Sequence, residues 1–159
     1  MAIGSFRHLC EGFCEIAGVE TPPLIANDEG LIAFHMKLRG VTINVVHSPE
    51  SSADHAFILV ECGAIPHKLA QRAMQALLEA NFFWLQVHPP TFSRNPATGD
   101  AVLQFVYPFQ DATPTGLFAL IDQGVVLALR WQQDCFIPAE PMFDPAPALR
   151  SPAMLPTFA

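Results

Sequence analysis

Leu59-Val60-Glu61-Cys62-Gly63-Ala64-Ile65-Pro66 is the stretch from which the fold can be read. It closes an apolar run, Ala56 to Glu61, whose centre Phe57-Ile58-Leu59-Val60 offers apolar side chains to both faces of a strand. Such a strand belongs in the middle of a sheet. Cys62-Gly63 breaks the run, and Pro66 fits the first turn of a helix, where its missing N–H costs nothing. Leu69, Ala73, Ala76/Leu77 and Ala80 then recur at helical spacing, so a helix runs from Pro66 to Ala80 and Asn81 ends it.

Working outward toward the N-terminus, two runs alternate with a period of two residues, Leu31 to Leu38 and Val41 to Val46. Ile32, Phe34, Met36 and Leu38 share one face of the first, and Arg39-Gly40 is short enough to close a hairpin. Ser48 to Asp54 is a polar loop, and Asn27-Asp28-Glu29-Gly30 is a turn. Before them, Phe6, Leu9, Cys10, Phe13 and Ile16/Ala17 predict an amphipathic helix from Ser5 to Ala17, with Ser5 as N-cap and Gly18 as stop. Thr21-Pro22-Pro23 forces an extended connection.

Toward the C-terminus, Thr91 to Ser93 and Ala101 to Tyr107 flank the turn-rich Asn95-Pro96-Ala97-Thr98-Gly99-Asp100 and form a second hairpin. A last helix starts near Thr113-Pro114, with Leu117, Ile121, Gly124, Ala128, Trp131 and Cys135 on one side. Gly124 costs a helix about 1 kcal/mol relative to Ala, so it marks close packing against another element. The order is α-β-β-β-α-β-β-α: an α+β domain with three helices and an antiparallel sheet of about five strands. That domain spans residues 1–137. Residues 138–159 form a tail with Pro138, Pro141, Pro145, Pro147, Pro152 and Pro156, a composition that excludes regular structure.

Of 159 residues, 51% are hydrophobic and only 14% charged, where about 25% charged is usual. That much apolar surface in so small a chain predicts association. Lys and Arg number 8 against 15 Asp and Glu, a net charge of −7. The balance argues against nucleic acid and against an anionic membrane surface. No apolar run is long enough to span a bilayer: Gly116 to Leu129 is interrupted by Asp122 and Gln123. Met1-Ala2-Ile3-Gly4-Ser5-Phe6-Arg7 lacks the features of a signal peptide, which places the chain in the cytoplasm with Cys10, Cys14, Cys62 and Cys135 reduced.

Signatures of catalysis are absent from the sequence: no glycine-rich phosphate loop, no G-x-S-x-G, H-E-x-x-H or C-x-x-C. Cys10 and Cys14 lie one helical turn apart, but His8 points elsewhere on the same helix, and small buried residues explain the pair better than a metal. Cys62 with His35, His47, His55, His67 or His88 has no motif behind it, and Asp28-Glu29 is turn chemistry. No catalytic, metal or cofactor residue is assigned. Phe82-Phe83-Trp84-Leu85 is more informative, because four in a row cannot share one face of a helix or strand. Either they cluster beneath Pro89-Pro90 or part of the row is a dimer or ligand surface.

Taken in order, the helix around Phe6-Leu9-Phe13, the hairpin from Leu31 to Val46, the passage Leu59 to Pro66, Ala76-Leu77-Leu78-Glu79-Ala80-Asn81-Phe82 and a final helix with Trp131 resemble a class I type III secretion chaperone of the Tir chaperone group. The resemblance spans roughly residues 3–137. Two features depart from it. Ala101-Val102-Leu103-Gln104-Phe105 lacks the glycine that members often carry there, and the proline-rich tail is not an ordinary family feature. The resemblance implies a cytoplasmic, non-enzymatic homodimer, without nucleotide or other cofactor, whose partner is the extended N-proximal segment of a secreted effector. It directs the effector to Phe6, Leu9 and Phe13 and to Leu31, Ile32, Phe34 and Met36, stripes that would otherwise pack on each other as core. The dimer contact is expected at Leu69, Ala73, Leu77, Phe82, Phe83, Trp84 and Leu85. Two other readings stay open: a YbjN-like binding or scaffold domain outside secretion, and a small thiol or metal enzyme.

Overall fold

The computed structural model describes residues 2–84 and 88–135, with side chains from Phe6 onward. Leu85 and the tail expected at 138–159 lie outside the described residues.

Helix α1 spans Ala2–Ala17. It begins ahead of Ser5, so Ser5 is not its N-cap: Ala2 and Ile3 are compatible with helix, and Gly4 alone is too weak a breaker to delay the start. Gly18 ends it at φ 68°, a left-handed conformation that glycine adopts without a Cβ penalty. Strands β1 (Ile32–Leu38) and β2 (Val41–His47) are joined by Arg39-Gly40. Both turn residues have positive φ, 50° and 82°, the two-residue turn whose twist matches that of its strands. Strand β3 covers His55–Ala64. A single 3₁₀ turn, His67–Leu69, leads into α2, Ala70–Phe83. Strands β4 (Thr91–Arg94) and β5 (Asp100–Pro108) form the second hairpin. Helix α3 runs Pro114–Asp134; Thr113 caps it by accepting a hydrogen bond from the Gly116 N–H, with Pro114 opening the first turn.

The sheet order is β1-β2-β3-β5-β4, antiparallel throughout. Strand β3 is central as expected, paired with both β2 and β5, with a register shift between Glu61 and Gly63. Helices α1 and α3 pack on each other, and α3 lies on β3. Val41, Ile43 and Val45 of β2, Ile58, Val60 and Cys62 of β3, and Leu103 and Phe105 of β5 are buried in one core with Leu117, Ile121, Val125, Ala128 and Trp131 of α3. The alternate residues Val46, Phe57, Leu59 and Val106 face the other way and are only half-buried. In register they form a row, Ala33–Val46–Phe57–Val106, across four strands.

Gly124 sits where α3 crosses the sheet. A Cβ there would stand 3.0 Å from both Phe105 and Val60, so the glycine is the condition for the helix to lie this close. Gly124→Val should lower the unfolding free energy by about 3 kcal/mol, because overpacking outweighs the gain in helix propensity. Urea denaturation would measure it, and a variant as stable as the parent would contradict the close approach. An exposed Arg39–Asp122 ion pair also ties the β1–β2 turn to α3.

Candidate binding surfaces

Phe6, Leu9 and Phe13 are buried, and so are Ile32 and Phe34. Both stripes are part of one buried core, α1 packing on α3, rather than the lining of an open groove. The Phe6 ring lies 4.9 Å from His47, which lies 5.0 Å from Phe109. His47 is itself fully buried, its Nδ1 2.9 Å from the His55 carbonyl oxygen. Phe13 packs 6.0 Å from Phe118 of α3. Of the residues expected to meet an effector, Leu31 and Met36 remain half-buried at the surface.

Beside them β1 offers a different feature. Among the described residues it pairs only with β2, and its other side carries one isolated bridge, Ala26 to Ile32. Beyond that bridge, residues 33–38 have no second strand partner among the described residues, and Ala33, His35 and Lys37 are exposed. Ile25, 74% exposed, stands next to the bridge. Ile25 is not among the residues expected to meet an effector; its signal in the sequence is an apolar residue in a connection, directly after Pro22-Pro23-Leu24.

Helix α2 is apolar on two sides. Ala73, Leu77 and Ala80 face inward, followed by Trp84 at 1% exposure. Trp84 packs 5.2 Å from Phe92 of β4. Asn81 clasps the same strand: its Nδ2 donates to the Phe92 carbonyl at 3.0 Å and its Oδ1 accepts from the Phe92 N–H at 2.7 Å. Asn81 was expected to end the helix. Because its side chain bonds β4 instead of its own backbone, the helix continues to Phe83. The aromatic row is therefore divided, Trp84 inward, Phe82 and Phe83 outward, with their rings 5.5 Å apart. Met74, Leu78 and Phe82, each four residues on, form an exposed stripe, and Leu78 and Phe82 are 69% and 72% exposed; Leu69, in the preceding 3₁₀ turn, is exposed as well but off this stripe. Of the expected interface residues, Ala73, Leu77 and Trp84 thus lie beneath the surface and Leu69, Phe82 and Phe83 on it. Met74 and Leu78 were missed, although their spacing from Phe82 was a usable signal.

The thiols are poorly placed for chemistry. Cys10, Cys14 and Cys62 are buried. Burial raises the Cys10 and Cys14 thiols above their ordinary value and pushes Cys62 up to about 12. Cys135 is raised too, by desolvation and then by the neighbouring Asp134 carboxylate. Among the described residues no three His, Cys, Asp or Glu side chains gather as a metal site. Since the thiolate is the reactive form, the native protein should show one slow thiol toward a disulfide reagent at neutral pH, Cys135, and release the other three only on unfolding. A fast, stoichiometric reaction at Cys62 would contradict this.

A family model describing the Tir chaperone protein (CesT) family matches residues 8–132, from α1 to the last turns of α3. The chain belongs to this family. Solved structures agree in fold at low sequence identity. One is the ExoT–SpcS complex from Pseudomonas aeruginosa, at 16% identity and TM-score 0.54, covering 79% of this chain and 96% of that one. Another is the ExsC–ExsE complex, at 15% and TM-score 0.60, covering 85% and 96%. A third is the HopA1–SchA chaperone–effector complex, at 12% and TM-score 0.51, covering 80% and 89%. No curated protein matches in sequence. As a CesT-family chaperone the chain is an α+β protein of three helices and a five-stranded antiparallel sheet, and no described helix is long and apolar enough to cross a membrane.

Proposed function

We propose that the protein is a type III secretion chaperone. It acts in the cytoplasm as a homodimer, holds the extended N-proximal segment of a secreted effector in a secretion-competent state, and catalyses no reaction. Family membership over residues 8–132 carries this reading. Structural neighbours in complex, among them the chaperone–effector pair HopA1–SchA, support it. The physical requirements of the task are present as well. An unfolded segment has backbone groups to satisfy, and the free edge of β1 offers their partners by strand addition. It also has apolar side chains to shelter, and Leu31, Met36 and Ile25 line that edge, with the row Ala33–Val46–Phe57 on the adjoining sheet face. The buried Phe6, Leu9, Phe13, Ile32 and Phe34 serve as the floor that fixes this edge in place. A net charge of −7 keeps a chain with this much apolar surface soluble and suits basic cargo.

The dimer contact falls on the outer stripe of α2, Met74, Leu78 and Phe82, with Phe83 alongside. Ala73, Leu77 and Trp84 hold the helix against β4 from behind.

The test is affinity purification of the tagged chain from its native host under conditions that induce secretion. A co-purifying secreted protein, protected from limited proteolysis in its N-proximal segment, is the expected result. Recovery of the chain without any secreted partner would contradict the proposal.

A further inference from the structure

The exposed stripe of α2 differs at its two ends. At the C-terminal end Phe82 stands out into solvent, with the Phe83 ring 5.5 Å away. At the N-terminal end lies a pocket of about 500 Å³, between the start of α2, the passage out of β3 and the β4–β5 turn. Met74 belongs to both, as the first residue of the stripe and a wall of the pocket. Ala64, Ile65 and Ala70 are its other large apolar walls, and His67, Arg94 and Asp100 its ionisable ones. We propose, resting on the dimer reading above and on nothing about the effector, that this pocket is the seat of Phe82 from a second copy of the chain. Two antiparallel α2 helices then lock together at two equivalent points.

The two ends fit each other under a twofold axis. Such an interface makes every contact twice, residue i on j and j on i. Leu78 is the middle of the stripe, with Met74 and Phe82 on either side of it, each about 6 Å away along the helix. An axis through Leu78 and perpendicular to α2 brings the partner's Phe82 to Met74, at the mouth of the pocket, and Leu78 to its own copy. An axis parallel to α2 would instead set Phe82 against Phe82 and leave both pockets empty. Ridge packing agrees, because Met74, Leu78 and Phe82 form one i,i+4 row, and such rows from two helices interdigitate. The chemistry agrees as well. Ile65, Ala70 and Met74 give a phenylalanine ring apolar contact, and Arg94 brings a guanidinium, which is attracted to a ring face. Arg94 makes no ion pair among the described residues, and its guanidinium lies against the turn, where a Cβ on Gly99 would stand 3.0 Å from it.

The test combines disulfide trapping and dimer dissociation in the full chain, with melting curves to confirm that each variant folds. Cys135→Ser removes the half-buried thiol, and Cys10, Cys14 and Cys62 are buried. In that background Leu78→Cys should close a disulfide between two copies on mild oxidation. Met74→Cys and Phe82→Cys should each link to themselves at least about fivefold less, and should link to each other when the two variant chains are mixed. By sedimentation, Phe82→Ala should raise the dimer dissociation constant about thirtyfold, as the loss of a central anchor does. Ala70→Phe, which fills the seat from within, should raise it about tenfold. The two changes together should bind no more weakly than Phe82→Ala alone, since they act on one contact. A parent chain that sediments as a monomer would overturn the dimer reading and the seat together. A parent dimer in which Phe82→Cys links readily to itself, Ala70→Phe changes nothing, or the two effects simply add would overturn the seat and leave the dimer standing.

Discussion

Phe34→Asp should yield no folded chaperone, rather than a folded one that has lost its effector. Phe34 is 5% exposed, pairs in register with Val45, and belongs to the buried core. Removing a buried phenylalanine costs about 3–5 kcal/mol. Burying a carboxylate without a partner adds several more, or forces the group to take up a proton. Against a total stability of about 5–15 kcal/mol, that sum is enough to unfold the domain. Circular dichroism and a thermal melt would read it directly. Leu31→Asp, half-buried one residue before β1 begins, should instead keep the parent's spectrum and lose affinity for the effector segment by tenfold or more. The pair separates core from binding edge. A folded Phe34→Asp, or a Leu31→Asp with full affinity, would contradict the assignment.

Leu78→Glu combined with Phe82→Glu should convert the dimer to a monomer. Both side chains are more than two-thirds exposed in the protomer, so neither change touches the core, and glutamate is a good helix former. Central apolar anchors contribute about 2 kcal/mol or more each when an interface buries them. Losing two, and bringing like charges together across a symmetric contact, should raise the dimer dissociation constant by more than about a hundredfold. Sedimentation equilibrium should then report the 17.4 kDa of one chain where the parent gives twice that. Trp84→Glu is the contrasting case. At 1% exposure against Phe92, it should unfold the α2–β4 corner rather than separate intact protomers.

The sequence was most legible where a residue's chemistry permits one local geometry. Arg39-Gly40 between two alternating runs allowed a two-residue turn and little else. Thr113-Pro114 named the start of α3, because one residue caps and the other cannot donate. Gly124 gave away a contact between distant elements, since a glycine inside a helix needs a close neighbour to explain it, and Phe105 and Val60 are that neighbour. The site was less legible, because periodicity reveals which side chains share a face and not what covers that face. Phe6-Leu9-Phe13 and Ile32-Phe34 look the same whether they meet each other or a partner. Phe57 and Leu59 have the same apolar character as Ile58 and Val60, yet α3 lies over one pair only. The extent of α2 depended on the reach of the Asn81 amide to Phe92, eleven residues later, a bond no local pattern announces.

The central claim, that a CesT-family dimer holds one extended effector segment, is tested most directly by native mass spectrometry of the chain co-expressed with the N-proximal part of its effector. The account predicts two chaperone chains and one effector segment in a single species, with the segment lost on acquiring Leu31→Asp and the pairing of chains lost with Leu78→Glu/Phe82→Glu. A monomeric chain, or a dimer that leaves the segment free at micromolar concentration, would contradict it.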